Sequence, residues 1–337
     1  MGSNLKSIDF AKYIASVCVI AIHVLSSAKI DNLYVFFFVQ GIARLAVPFF
    51  FCCTGYFIAQ KGIENRTVVI DYIKKLCKSY LIGSLVYIPV ELIKMIATNT
   101  FSKAAVLKYL QYILVQGSFL HLWYFPAVIV AIVCLHFLLK RLSIRMTCLV
   151  AACLYFIGLL GDGYYGVFRF LPQWASDTMK IYQELFYTTR NGLFFGVPFV
   201  LIGVAIAKRT RLQTMKKAYV WLVATLVAGC GEIYFLRRFQ IAVDYNMTVF
   251  LVPATVFLFL TLLKMPYKIK FNSNLLRLYS TKLYEAHLLF YGLLLAALTV
   301  FQIPILKNGA VQFFVVWAAS QMFAYFTARA VANRVIK

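Results

Sequence analysis

The chain has 337 residues, 63% of them apolar and only 13% charged, against roughly 45–50% apolar and about 25% charged in ordinary soluble domains. That imbalance excludes a soluble globular class and marks a polytopic membrane protein. The formal charge of +23 resembles a nucleic-acid signature, but the basic residues lie between apolar segments, where they set topology, so no nucleic-acid partner is expected.

The opening Met1-Gly2-Ser3-Asn4 reads as an expression scar. Lys6 stands where a myristoylation signal wants Ser or Thr. Segment 8–27 is long enough to span and lacks a small-x-small cleavage site, so it is not a cleavable signal. Ten apolar stretches follow one another at 8–27, 37–59, 77–98, 120–139, 146–161, 192–207, 218–236, 247–264, 283–301 and 310–330. Each comes close to the ~20 residues that a helix needs to cross a ~30 Å hydrocarbon core. The expected fold is therefore all-α, with about ten transmembrane helices in a single domain over 1–337.

Lys and Arg alternate in density from loop to loop, as they do when one side faces the cytoplasm. The denser loops hold Lys61, Arg66, Lys74, Lys75 and Lys78; Lys140, Arg141 and Arg145; Lys208, Arg209, Arg211, Lys216 and Lys217. The series continues with Lys264, Lys268, Lys270, Arg277 and Lys282, then Arg329, Arg334 and Lys337. Most acids, including Asp31, Asp162, Asp177, Glu184 and Asp244, fall on the opposite side. Both termini are expected in the cytoplasm. Residues 99–119 read as a helix on the outer surface or plugging the bundle from outside, and the 162–191 loop as part of an outer lid.

Polar residues inside a membrane are functional candidates by default. Lys12 and His23 are eleven residues apart, three turns plus about 20°, so they share one face of the first span about 16 Å apart. Asp9 can pair with Lys12 at i, i+3. The second span carries Arg44, which needs a carboxylate, carbonyls or an anionic ligand, then Thr54-Gly55-Tyr56, open between a functional step and close helix packing. His121 precedes the interfacial aromatics Trp123 and Tyr124. His136, near Lys140, reads as structural. Arg190 opposes the dipole at the start of the sixth span, which hints at an anionic partner. Glu285 and His287 complete the set on the ninth span. The eight cysteines contain no CxxC pair and read as free thiols; no metal site is expected.

The Lys12-x10-His23 pair resembles the Arg-x10-His of the acyltransferase-3 family, ten-helix membrane proteins that acylate cell-envelope sugars. Ile8-Asp9, Arg44…Val47-Pro48-Phe49-Phe50…Gly55-Tyr56 and Tyr284…His287 resemble further family signatures. More narrowly, three segments are similar to the membrane half of VanT-type serine racemases of vancomycin-resistance clusters. They are His121-Leu122-Trp123-Tyr124-Phe125-Pro126-Ala127, Tyr155-Phe156-Ile157-Gly158-Leu159-Leu160-Gly161-Asp162 and Thr189-Arg190-Asn191-Gly192-Leu193-Phe194-Phe195. Two departures stand out. Lys12 replaces the family arginine and loses its bidentate fork, and the alanine-racemase-like half with its pyridoxal-phosphate lysine does not follow, so racemisation is not expected from this chain.

The resemblance implies a bacterial cytoplasmic membrane protein with either of two activities. In acyl transfer, acyl-CoA (acetyl-CoA above all) would enter from the cytoplasm, with Lys12, Lys74 and Lys75 on its phosphates. His23 would serve as base or acyl carrier, and Arg44, Arg190 or His121 as oxyanion partner. In L-serine uptake toward a cytoplasmic racemase domain, Arg44 or Arg190 would take the carboxylate, Glu285 the amine, and His23 the proton.

Overall fold

A computed structural model describes residues 4–27, 32–265 and 272–335, in which all regular structure is helical. Met1–Ser3, Asp31, Lys268, Lys270 and Lys337 lie outside the described residues. In chain order the α-helices are α1 (Asn4–Ser27), α2 (Leu33–Phe37), α3 (Ala46–Lys61), α4 (Arg66–Ala97), α5 (Lys103–Val115) and α6 (Tyr124–Arg141). They continue with α7 (Ile144–Leu160), α8 (Gln173–Phe186), α9 (Val197–Lys208), α10 (Thr210–Gln213), α11 (Ala218–Arg238), α12 (Leu251–Lys264), α13 (Ser273–Phe301) and α14 (Gly309–Val335). Seven helical stretches among the described residues are long and apolar enough to cross a membrane. Three shorter apolar helices, Ile144–Leu160, Gly192–Lys208 and Leu251–Lys264, fall on the fifth, sixth and eighth expected spans. The protein is an all-α polytopic membrane protein.

The differences from the expected spans lie at helix ends, because apolarity measures the hydrocarbon core while caps set the helix. α4 begins at Arg66 rather than 77, since Asn65 caps it by accepting from the Thr67 N–H. Lys74 and Lys75 therefore ride on a helix instead of a loop. α13 begins at Ser273 rather than 283, capped by Asn272 through the Asn274 and Leu275 N–H groups. This start brings Arg277 and Lys282 onto the helix. The eighth span, expected from 247, starts at Leu251 because the Met247 N–H is already held by Asp162 Oδ1 at 3.0 Å. The fourth starts at Tyr124 rather than 120, after a tight turn that contains Gly117 at φ +90°. There a Cβ would sit 2.9 Å from the Leu122 carbonyl oxygen.

The helix expected in 99–119 is α5, started by the Ser102 side chain on the Ala105 N–H. The 162–191 segment is more ordered than a loop, containing a 3-10 turn at Tyr165–Phe170 and then α8. Two π-helical segments, Phe38–Ile42 and Gly192–Gly196, interrupt the second and sixth spans beside Arg44 and Arg190. Such π segments occur mostly as single turns and frequently at functional sites.

By internal contacts the chain divides into two compact units. The first comprises Met1–Phe50, Gln213–Ile233 and Phe250–Lys337; the second comprises Phe51–Leu212 and Tyr234–Val249. In the first, α1 packs against α13 and α14, and Val19, Ile20, Val24, Leu283 and Val316 are buried. In the second, α6, α7, α9 and the Gly192–Gly196 turn pack together around Phe51, Phe195 and Phe199. Gly55 and Gly203 let the backbones of α3 and α9 touch: a Cβ on Gly55 would overlap the Val200 carbonyl, and one on Gly203 the Cys52 carbonyl. Gly55 is thus a packing residue.

Candidate functional site

In the first unit, one face of α1 meets one face of α13. Residues 9, 12, 16 and 23 recur at helical spacing on α1, and residues 277, 280, 284 and 287 do so on α13. The two faces interlock in the same order along both helices, so α1 and α13 run parallel. At one end the Asp9 carboxylate, 2% exposed, lies 3.8 Å from Lys12 Nζ and 3.2 Å from Arg277 Nε. Two cations around one buried carboxylate leave the group net positive. Midway, Ser16 Oγ lies 2.8 Å from Ser280 Oγ, and Ser280 Oγ lies 3.0 Å from the Lys12 carbonyl. At the other end the rings of His23 and His287 are 5.3 Å apart, tilted by 36°.

His287 is fully buried, and its Nδ1 lies 2.7 Å from the Tyr284 carbonyl oxygen. A carbonyl only accepts, so Nδ1 carries a proton. His23 is half-buried, with its own carbonyl accepting from Ser27 Oγ at 2.7 Å. The arrangement places fixed positive charge near one end of the stripe and imidazole nitrogens about 16 Å away along α1.

Arg44 and Glu285, the other expected residues of this unit, each have a polar partner close by in sequence. Arg44 Nε donates to Gln40 Oε1 at 2.8 Å across the π-to-3-10 transition. Glu285 accepts from Lys282 Nζ at 2.6 Å on its own helix. Two residues from His287, it points about 200° away round α13.

In the second unit, His121 is 1% exposed and set edge-on to Tyr87 at 4.8 Å. The Arg190 guanidinium lies over Trp123 at 4.8 Å and donates to Asn246 Oδ1 at 2.9 Å. Asn246 Nδ2 in turn donates to Asp162 Oδ2 at 3.1 Å and to Asp244 Oδ2 at 2.5 Å. Burial pushes the Asp162 carboxyl up to about 6, helped by Asp244 and opposed by Asn246, the Met247 N–H and Arg190. Thr189 Oγ1 donates to the Gly158 carbonyl at 2.9 Å, and a Cβ on Gly192 would meet the Ala127 carbonyl oxygen at 2.6 Å. The three motifs at 121–127, 155–162 and 189–195 thus pack on one another. Lys74 and Lys75 are exposed on α4, while His136 is buried with Nδ1 2.8 Å from the Ile63 carbonyl, a structural histidine.

Arg277, Ser280 and Asn246 were not among the candidates read from the sequence. Arg277 and Ser280 looked like loop residues, yet their spacing to Tyr284 and His287 continues one helical stripe. Asn246 joins Arg190 to two acids but had no periodic or motif signal.

An all-helical membrane protein with an ionic stripe between two parallel spans defines the class. The chain belongs to the acyltransferase-3 family, whose acyltransferase domain it matches over residues 5–328. It is 30% identical over 336 residues to an amino-acid racemase of Enterococcus faecalis, covering 96% of this chain and 46% of that protein. It is 32% identical over 267 residues to a serine/alanine racemase of Enterococcus gallinarum, covering 77% of this chain and 37% of that protein. The chain therefore spans about half or less of these relatives' length. No solved structure matches it.

Proposed function

We propose that the α1–α13 stripe is an acyl-transfer site, with acyl-CoA as donor entering from the cytoplasmic face of a bacterial membrane. The observation that carries this reading is the alignment of Lys12 and Arg277 around Asp9 with His23 and His287 one stripe further along. Lys12 engages the donor's phosphates as a point charge. His23 takes the proton from an acceptor hydroxyl as its oxygen attacks the thioester carbonyl, and CoA departs as thiolate and is protonated. Alternatively His23 carries the acyl group between the two steps. Within this unit, Arg44 is the candidate partner for the developing oxyanion.

A second reading is passage of L-serine toward a racemase domain, in glycopeptide resistance. It draws on the serine/alanine racemase relative and on groups of both signs, Arg44 or Arg190 for the carboxylate and Glu285 for the amine. The pairing of Glu285 with Lys282 and of Arg190 with Asn246 makes it the weaker one.

Thermal unfolding of the purified chain with acetyl-CoA or L-serine separates them, because a ligand that binds the folded state raises its melting point. Stabilisation by acetyl-CoA that Lys12→Ala removes supports acyl transfer. Stabilisation by L-serine alone overturns it.

A further inference from the structure

The back of α1 walls a cavity that the acyl-transfer reading does not use. Its volume is about 510 Å³, within the roughly 300–1,000 Å³ of ligand pockets. On α1 its lining runs from Ser7 through Ala11 and Ala15 to Cys18, on the face opposite Asp9, Lys12, Ser16 and His23. The remaining walls come from the start of the second span, from α11 and from α12. The lining is apolar but for Ser7, whose hydroxyl is already donated to the Leu262 carbonyl at 2.6 Å.

A pocket for a small polar ligand sets a few directed polar groups into its wall. This wall offers none and suits an alkyl chain. Ser7 to Cys18 covers about 16 Å of helix, half of a ~30 Å hydrocarbon core, which is the depth of one leaflet. One end of the cavity is basic. Ser7 meets Leu262 there, the exposed Lys6 precedes Ser7, and the exposed Lys264 follows two residues after Leu262 and donates to the Met215 carbonyl. Met215 leads directly into the exposed Lys216 and Lys217. Four lysines beside a one-leaflet apolar slot form the kind of cluster that holds an anionic lipid headgroup.

We propose that this cavity binds one acyl tail of an anionic phospholipid, with its phosphate held by Lys6, Lys216, Lys217 and Lys264. The tail braces α1 from behind while the opposite face carries the ionic stripe. This assignment is independent of the acyl-transfer reading.

The test is photo-crosslinking of the full chain in detergent, using phosphatidylglycerol with a diazirine in its tail, followed by peptide mapping. Adducts should concentrate in residues 7–18, 222–226 and 258–265. Dioleoyl phosphatidylglycerol should compete about tenfold or better over dioleoyl phosphatidylcholine, and tail-less glycerophosphoglycerol should not compete. Ala11→Phe, which fills the slot, should remove those adducts; if that variant fails to fold, the wild-type map still decides. Adducts spread over exposed apolar faces such as Leu81 and Leu85 of α4, with no excess in the cavity, would overturn the proposal. So would equal competition by the neutral lipid, or chain-to-chain crosslinks through the cavity.

Discussion

Asp9 and Asp162 are both almost fully buried carboxylates near arginine, yet their surroundings differ. Asp162 accepts from the Asn246 amide and from the Met247 N–H, and Arg190 closes the group through Asn246 while lying flat on Trp123. Asp9 sits between two cations, and Lys12 stays 3.8 Å away with 17% of its side chain exposed. A charge-assisted hydrogen bond closes to roughly 2.7–2.9 Å, so the 3.8 Å Lys12–Asp9 pair is longer than the Asp162 contacts. The Asp162 cluster is built as a latch between distant chain segments, whereas the Asp9 cluster sets two cations on one carboxylate between α1 and α13.

The largest expected effect falls on the stripe. His23→Gln should lower CoA release from acetyl-CoA by about 10²–10⁴-fold, the usual worth of a positioned general base, while the melting point stays near wild type. An unchanged rate would move the chemistry away from α1.

The latch should instead show itself in stability. Because the Asp162 carboxyl is raised to about 6 in the folded state, its contribution is fully present below about pH 4 and is lost as pH rises through 6. Asp162→Asn should carry a constant cost and a flat profile, so its melting point should gain on wild type between pH 4 and pH 7. Parallel profiles would show that Asp162 does not titrate in this range.

Gly203→Ala drives a methyl into the Cys52 carbonyl and should cost about 1–3 kcal/mol, typical of overpacking, measured by denaturation in detergent. No loss of stability would mean that α3 and α9 can separate freely. Smallest is Glu64→Gln. Its pairing with Lys208 holds the Glu64 carboxyl low against partial burial, but both side chains are more than a third exposed. A change of at most about 1 kcal/mol is expected; a larger one would mark that pair as structural.

Much of this architecture could be read from the chain. The helical periodicity that set Lys12 under His23 holds, and so does the Asp9–Lys12 pairing, because both are local to one helix. The partners across α13 were less visible. Arg277 lies in a polar turn that hydropathy assigns to a loop, and only the Asn272 cap draws it into the helix. The position of Arg190 against a helix dipole calls for an anion; Asn246, 56 residues away, meets it through a contact no local pattern encodes. Gly55 could not be divided between packing and function until α9 was seen against it. Local stripes are legible, whereas the closure of one stripe by another depends on tertiary pairing.

The most direct measurement of the central claim is equilibrium binding of labelled acetyl-CoA to the purified chain and to Lys12→Ala, Lys12→Arg and Asp162→Asn. Saturable binding is expected, about tenfold or more weaker in Lys12→Ala, as for loss of a hydrogen bond to a charged group. Lys12→Arg should restore it, and Asp162→Asn should leave it unchanged. Binding that ignores Lys12, or that disappears with Asp162, would contradict the account and move the ligand site to the latch.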